Sequence, residues 1–408
     1  MQQWKTLMEQ IDYSFINGVQ TPCYILDKYE FERSINGFKE ALVQNFNKSI
    51  IGYSVKTNSL PYCLSRALEY GCYAEVVSFD EYKLALLCGY PKNQIIYNGP
   101  MKSKETFIDA ITNGAIVNIE TKREINWLDE LPQDCNYGIG IRLNVNISNI
   151  APEDAVGNND FGRFGFSDET NDFLNAVTEI QNKKNIRLVG LHIHRSPHTR
   201  SVSFYQKTVS YATHIIKKYN LKLSYLDIGG GYYGIFKDKP TYSDYCNAIK
   251  QTLEENNLKH LTIIVEPGMA ILGSAFTFVT RVIDTKQIDQ NLFVITTDGS
   301  RNDVDPLFKK ESYIYNIIHV AKGTRKTVKN QVIAGCSCIE SDKLFSILDK
   351  PLLMLDDIII YNNVGAYTMC LSPLFIRYFP SIYVIENGKY EIIRNSWSAS
   401  EYIQNSKI

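Results

Sequence analysis

The 408-residue sequence predicts an α/β protein built on a closed (β/α)8 barrel of the TIM type, followed by a mainly antiparallel β-domain. Three observations support this. From about Pro22 to Ile271, short apolar β-rich segments alternate with longer charged segments of helical period, the pattern of a parallel sheet with crossover helices. There are about eight such units in roughly 240 residues, which fits a closed barrel better than an open sheet. Beyond Ile271 the helical gaps almost disappear while β-rich segments continue. The barrel is expected over residues 28–270, and residues 1–27 with 271–408 are expected to form the β-rich domain.

The strands expected in the barrel are, in order, "SIIGYSV", "CYAEVV", "QIIYNG", "AIVNI", "GIGIRLNV", "RLVGLHIH", "LSYLDIG" and "LTIIVEPG". Each is an apolar run of strand length, as strands buried on both faces require. Segments such as "SFDEYKLALLCGY" and "KSKETFIDAITNG" lie between them and close on Gly or Asn, residues that commonly end helices. In the second domain the expected strands lie in "SAFTFVTRVIDTKQ", "NLFVITTDG", "YNIIHVA", "QVIAGCSC", "DIIIYNNVGAY" and "SIYVIENGKYEII". The "NG" before "KYEII" marks a hairpin turn.

Composition narrows the function classes. Hydrophobic residues at 44% and charged residues at 21% describe a globular protein with a large core. A formal net charge of −1 gives no overall attraction to nucleic acid or to an anionic membrane. Nine cysteines without CxxC spacing point to reduced thiols, and thus to a cytoplasmic location, rather than to a disulfide scaffold or zinc site. The opening "MQQWKTLMEQIDYSF" has neither the basic nor the apolar region of a signal peptide, and no apolar run approaches membrane-spanning length. The 27 tyrosines suit a sizeable interface.

In barrels, chemistry is carried on loops after the C-terminal ends of strands. Lys56 in "YSVKTN" stands at such an end. It is either a solvated surface lysine or an amine whose burial depresses its pKa and readies it as a Schiff-base nucleophile. Gly229, Gly230 and Gly231 end "LDIGGGYYG"; they form an ordinary turn or present successive N–H groups to an anion such as phosphate. In "LHIHRSPHTRS", His192 and His194 share a strand face. With no third ligand at suitable spacing, no metal site is expected, and a single imidazole over a flat cofactor ring, His194, is the alternative. Glu266 in "IIVEPGMA" is costly to bury unless a cation meets it. Cys338 in "AGCSCIESD" and Tyr367 in "NNVGAYTM" are a loop cysteine and a tyrosine beside glycine.

The order lysine, His-bearing strand, glycine triplet, Glu-Pro-Gly, cysteine loop, Gly-Ala-Tyr resembles the fold-type III pyridoxal-phosphate decarboxylases, the group of diaminopimelate and ornithine decarboxylases. The resemblance runs from about Thr21 to Ile385 and includes "TPCYILD", "EVVSFDEYKLAL", "GIRLNV" and "FGRFGF". It implies an alanine racemase-like barrel, pyridoxal 5'-phosphate as cofactor, and a head-to-tail homodimer with active sites at the interface. Lys56 matches the lysine that holds the cofactor covalently, His194 the imidazole stacked on its ring, and Gly229, Gly230 and Gly231 the phosphate-binding glycines. Glu266 matches the acid that keeps the pyridine nitrogen protonated and electron-withdrawing, and Tyr367 the tyrosine reaching the phosphate. Cys338 matches the cysteine the partner subunit contributes to protonate Cα. Alanine racemases share the barrel but place an arginine at the ring nitrogen, so Glu266 favours decarboxylation over racemisation or epimerisation. The presence of both Lys56 and Cys338 argues against a catalytically silent regulator.

Three departures bear on the substrate. Where the family reads Glu-Pro-Gly-Arg this chain has Met269, so a cation is missing unless Arg195, Arg200 or another residue replaces it. The acid that recognises a distal amine is replaced by Ile339, with Glu340 next along. The phosphate-contacting serine position holds Pro197, leaving Ser196 as the nearby hydroxyl. An ammonium facing Ile339 loses a charge-assisted hydrogen bond, about 1.5–3 kcal/mol. The sequence therefore points to decarboxylation of a non-standard or conjugated amino acid, carrier-protein conjugates included. The alternative is meso-diaminopimelate, with the missing contacts rebuilt from "HRSPHTRS" and Glu340.

Overall fold

The computed structural model describes residues 18–157, 160–196, 198–320 and 322–407. They divide into two compact units: Glu32–Leu272, and the described residues of Met1–Phe31 with Gly273–Ile408. The opening residues read above for a signal peptide, and Pro197, lie outside the described residues.

The first unit is a closed parallel barrel of eight strands: β1 (Ser49–Ser54), β2 (Tyr73–Ser78), β3 (Ile95–Met101), β4 (Ile116–Ile119), β5 (Tyr137–Asn144), β6 (Ile186–His192), β7 (Tyr225–Asp227) and β8 (Thr262–Val265). Each pairs in parallel with its neighbours, and β8 closes the ring on β1 with Ile263 beside Ser49 and Val265 beside Ile51. All eight coincide with the apolar runs expected from the sequence. A two-residue strand, Phe166–Ser167, adds to the end of β5.

Helices between the strands begin where short polar side chains satisfy exposed N–H groups. Ser78, Ser103 and Ser201 each accept a backbone N–H three residues on, and Thr241 forms a capping box with Asp244. Their apolar faces, such as Phe204, Val209, Ala212 and Ile216 of Val202–Lys218, are buried.

The barrel interior explains two glycines inside strands. Tyr225 of β7 packs with Ile96 and Ile264, and its ring occupies the space that side chains at positions 140 and 190 would fill. A Cβ on Gly190 would lie 1.9 Å from the Tyr225 ring. Gly190→Ala is therefore expected to destabilise the protein by about 1–3 kcal/mol through overpacking. Urea unfolding measures this, and an unchanged midpoint would show that Tyr225 can move aside.

The second unit is a nine-stranded sheet. Its main path runs Lys343–Pro351, Thr327–Ala334, Leu292–Thr297, Phe276–Gln287, Cys23–Asp27, Ser381–Glu386, Lys389–Arg394. Ile358–Asn362 joins Phe276–Gln287 to Tyr315–Ile318. Pairing is antiparallel except Cys23–Asp27 with Ser381–Glu386 and Leu292–Thr297 with Thr327–Ala334. Asn387 and Gly388, both at positive φ, turn the last hairpin as expected. Val19, Cys23, Ile25, Val279, Ile358, Ile360 and Tyr383 form one of its cores. None of the nine cysteines is in a disulfide. Among the described residues, no helix is long and apolar enough to cross a membrane.

Candidate active site

One polar network lines the C-terminal ends of the barrel strands. β1 stops at Ser54 and the chain turns through Val55–Thr57, which places Lys56 beside β2. Its Nζ lies 2.5 Å from Glu75 Oε2; the lysine side chain is 30% exposed and the glutamate 1%. Ser54 Oγ donates to the same oxygen at 2.8 Å, and Asn98 Nδ2 of β3 lies 3.3 Å from Oε1. Asn98 Nδ2 also donates to Glu266 Oε1 at 2.5 Å, and Asn118 of β4 donates to Asn98 Oδ1 at 2.8 Å. Lys56 is thus not a solvated surface lysine: at the barrel mouth it is ion-paired with a buried carboxylate.

Glu266 follows β8 and is buried beside Asp227, the last residue of β7. Burial, and then the like charge of Asp227, raises the Glu266 carboxyl well above its usual range. Burial likewise pushes Asp227 up to about 7. Physically the two acids share a proton, because two close carboxylates in low dielectric do not both ionise. Among the described residues neither acid has a lysine or arginine ion-pair partner, so Glu266 is a buried acid ready for a cation from a ligand.

His192 and His194 do share a face, their rings 10° from parallel with centroids 6.4 Å apart. Burial, and then the Arg142 guanidinium, lowers both imidazoles well below the usual histidine value. His194 Nδ1 accepts the Gly230 N–H at 3.1 Å, which leaves the proton of the neutral ring on Nε2. Neither nitrogen of the buried His192 has a hydrogen-bond partner among the described residues. The third ligand that linear spacing did not reveal comes from other strands: donor atoms of His192, Asp227 and Glu266 lie within 4.8 Å of one another. Through Asn98, which donates to both Glu266 and Glu75, this cluster joins the network that holds Lys56.

The glycine triplet differs from the simple anion cradle. The Gly229 N–H donates to Asp227 Oδ1 at 3.0 Å and the Gly230 N–H to His194, so two of the three expected donors are used inside the protein. Among the described residues the Gly231 and Tyr232 N–H groups have no partner. Gly229 has φ +75°, and a Cβ there would lie 2.3 Å from His194 Nδ1; a Cβ on Gly230 would lie 2.3 Å from the Glu266 carbonyl oxygen. Gly229→Ala is expected to cost about 1–2 kcal/mol in backbone strain alone and to displace His194. Thermal unfolding with the His194 NMR signal checks both, and retention of both would contradict the packing argument.

Sequence reasoning missed Glu75, Asn98, Asn118, Asp227 and Arg142. Arg142 of β5 binds both oxygens of Glu120, at 3.0 and 2.9 Å, and donates to the His194 carbonyl at 3.1 Å. Glu81 is another: its carboxylate accepts the Val77 N–H at 2.8 Å, and burial pushes its pKa up to about 7. This value exceeds the unfolded one, so its contribution to stability is complete below about pH 4.5 and is lost as pH rises through about 7. Glu81→Gln should flatten the fall in melting temperature between pH 5 and 8, and an unchanged slope would contradict this assignment.

Of the other expected residues, Met269 is half-buried in the barrel unit, and Arg195 pairs with Asp160 at 2.5 Å. Ser196 is exposed, with no hydrogen bond among the described residues. Cys338, Ile339, Glu340 and Tyr367 belong to the other unit. Cys338 and Glu340 are exposed and Ile339 half-buried, on a loop held by Asp342, which accepts from Ser337 Oγ at 2.5 Å and from the Arg301 N–H at 2.7 Å. Tyr367 is exposed and adopts φ +55°.

Residues 30–273 match the family model of the pyridoxal-dependent decarboxylase, pyridoxal binding domain. The chain is 27% identical to the diaminopimelate decarboxylase of Aquifex aeolicus, over 93% of this chain and 92% of that one. It is 26% identical to the L-glutamyl-[BtrI acyl-carrier protein] decarboxylase of Niallia circulans, over 94% and 93%. The crystal structure of the diaminopimelate decarboxylase of M. jannaschii has the same fold, with a TM-score of 0.82, 22% identity, and coverage of 96% of this chain and 93% of that one. Site and sequence thus place the chain in one family: it belongs to the pyridoxal-dependent decarboxylases, enzymes that remove the carboxylate of an amino acid.

Proposed function

We propose that the barrel unit holds pyridoxal 5'-phosphate on Lys56 and that the enzyme removes one α-carboxylate of meso-diaminopimelate. The observation that carries the cofactor reading is a polar network with an amine at one end and, at the other, a buried acid that has no lysine or arginine partner among the described residues. Bound pyridoxal phosphate supplies a protonated aromatic ring that accepts the electron pair left when the bond to the carboxylate breaks. Glu75 Oε2 takes a proton from Lys56 Nζ, freeing the amine to attach. Glu266 holds the proton on the ring nitrogen, with Asn98 fixing its Oε1. His194, neutral and anchored by the Gly230 N–H, offers a flat uncharged face to the ring. Arg142 locks the His194 backbone. Cys338 of a second subunit returns a proton to Cα, so the working form is a homodimer.

Relatives aligned over nearly the whole chain, the A. aeolicus enzyme among them, support meso-diaminopimelate as substrate in place of the non-standard amino acid first expected. Ile339 favours a second reading, in which the distal group carries no amine. The N. circulans relative, named for a carrier-bound glutamyl substrate, supports a conjugated version of it. The test is kcat/KM for CO₂ release from meso-diaminopimelate, lysine, ornithine, arginine, glutamate and a glutamyl-phosphopantetheine conjugate. The leading reading expects meso-diaminopimelate to exceed the others by at least about tenfold, or ~1.4 kcal/mol. A higher value for glutamate or its conjugate would overturn it in favour of the second.

A further inference from the structure

We propose that Arg200 binds the phosphate of the cofactor, from a chain segment outside both the glycine loop and the Glu-Pro-Gly loop. The inference rests on the reading of the barrel as a pyridoxal-phosphate site.

Arg200 lies at φ +53°, just before the helix Val202–Lys218, and its carbonyl accepts the Tyr245 hydroxyl at 2.7 Å. Its guanidinium bridges two loops. Nη1 lies 2.9 Å from the Met269 sulfur, three residues after Glu266, and Cζ lies 5.4 Å from the ring centre of Tyr233, two residues after Gly231. A thioether is a weak acceptor, and a guanidinium carries five donors. Among the described residues no carboxylate pairs with Arg200, whereas Arg195 is already held by Asp160.

The glycine loop needs such a cation. With the Gly229 and Gly230 N–H groups donating to Asp227 and His194, only the Gly231 and Tyr232 N–H groups are left for an anion. A phosphate dianion held by two neutral donors keeps most of its charge uncompensated, and a planar guanidinium supplies paired, charge-assisted bonds to its oxygens. Met269 is compatible with this arrangement, because a long flexible thioether packs against the guanidinium without adding charge. Lys239 also approaches Tyr233, at 4.9 Å from the ring centre, but is exposed, which makes it a control.

The experiment titrates the apo forms of the full-length wild type, Arg200→Gln, Lys239→Ala, Lys56→Ala and the double variant Arg200→Gln/Met269→Arg. Each is titrated with pyridoxal 5'-phosphate and with pyridoxal, which lacks the phosphate, and followed by protein fluorescence and by the absorbance of lysine-bound cofactor. Arg200→Gln should weaken pyridoxal phosphate binding by about 10- to 100-fold. Pyridoxal binding should stay unchanged, which also shows that the variant is folded. Met269→Arg in the same background should recover much of the loss, and Lys239→Ala should match the wild type. If wild type shows Lys56-dependent absorbance while Arg200→Gln keeps its full preference for the phosphorylated ligand, the role of Arg200 is overturned and the cofactor reading stands. If wild type itself shows no Lys56-dependent absorbance, both fall.

Discussion

Lys56→Ala should lower CO₂ release by roughly four orders of magnitude or more, because it removes the amine that holds the cofactor. The same change has a cost in stability. Glu75 is 1% exposed and would keep the Ser54 and Asn98 donors, so its carboxylate would lose its cation. Because Lys56 itself is partly open to solvent, that cost is expected at about 1–3 kcal/mol, below the figure for a fully buried pair. Adding Glu75→Gln should restore stability without restoring activity. Urea unfolding and CO₂ assays on the single and double variants separate the two effects, and activity recovered by the double variant would contradict the assigned role of the amine.

Glu266→Gln should reduce kcat by about 10²–10³-fold, since it removes the negative charge that faces the cofactor's ring nitrogen. The substitution keeps the side chain's size and its Oε1, so the Asn98 hydrogen bond survives. It also relieves Asp227 of a like-charged neighbour, and the apoprotein should melt no lower, and above pH 7 higher, than the wild type. A variant that is both less stable and fully active would show that Glu266 has a structural role only.

The barrel was legible because strands buried on both faces are continuous apolar runs bounded by turn residues. The strand Lys343–Pro351 escaped: "KLFSILDKP" carries charges at both ends and is largely exposed, so its apolar pattern is short. The site was legible where chemistry is marked by local sequence. Lys56, the glycine triplet and Glu266 each sit beside a strand end with a turn signal. Glu75, Asn98 and Asn118 carry no such mark, since one polar residue within "CYAEVV", "QIIYNG" or "AIVNI" is unremarkable on its own. Only the parallel register, which sets Gly52–Ser54 of β1 against Tyr73–Glu75 of β2 and Ala74–Val76 of β2 against Ile95–Tyr97 of β3, brings them into one layer. The glycines facing Tyr225 were the available clue that a large side chain fills the interior. The roles given to Cys338 and Tyr367 came from resemblance alone, because a loop cysteine or a tyrosine beside glycine has the same local signature whatever it does. Reading the substrate from Ile339 rested on one loop position, whereas whole-chain relatives weigh many.

The most direct test of the account is to reduce the enzyme–pyridoxal phosphate complex with borohydride and map the modified peptide by mass spectrometry. Lys56, paired with Glu75, has an alternative in Lys102, which follows β3 and whose fully buried side chain lies 3.4 Å from Glu124. The account predicts the pyridoxyl group on Lys56, with none on Lys102. Label on Lys102 or a surface lysine, with Lys56 unmodified, would contradict it.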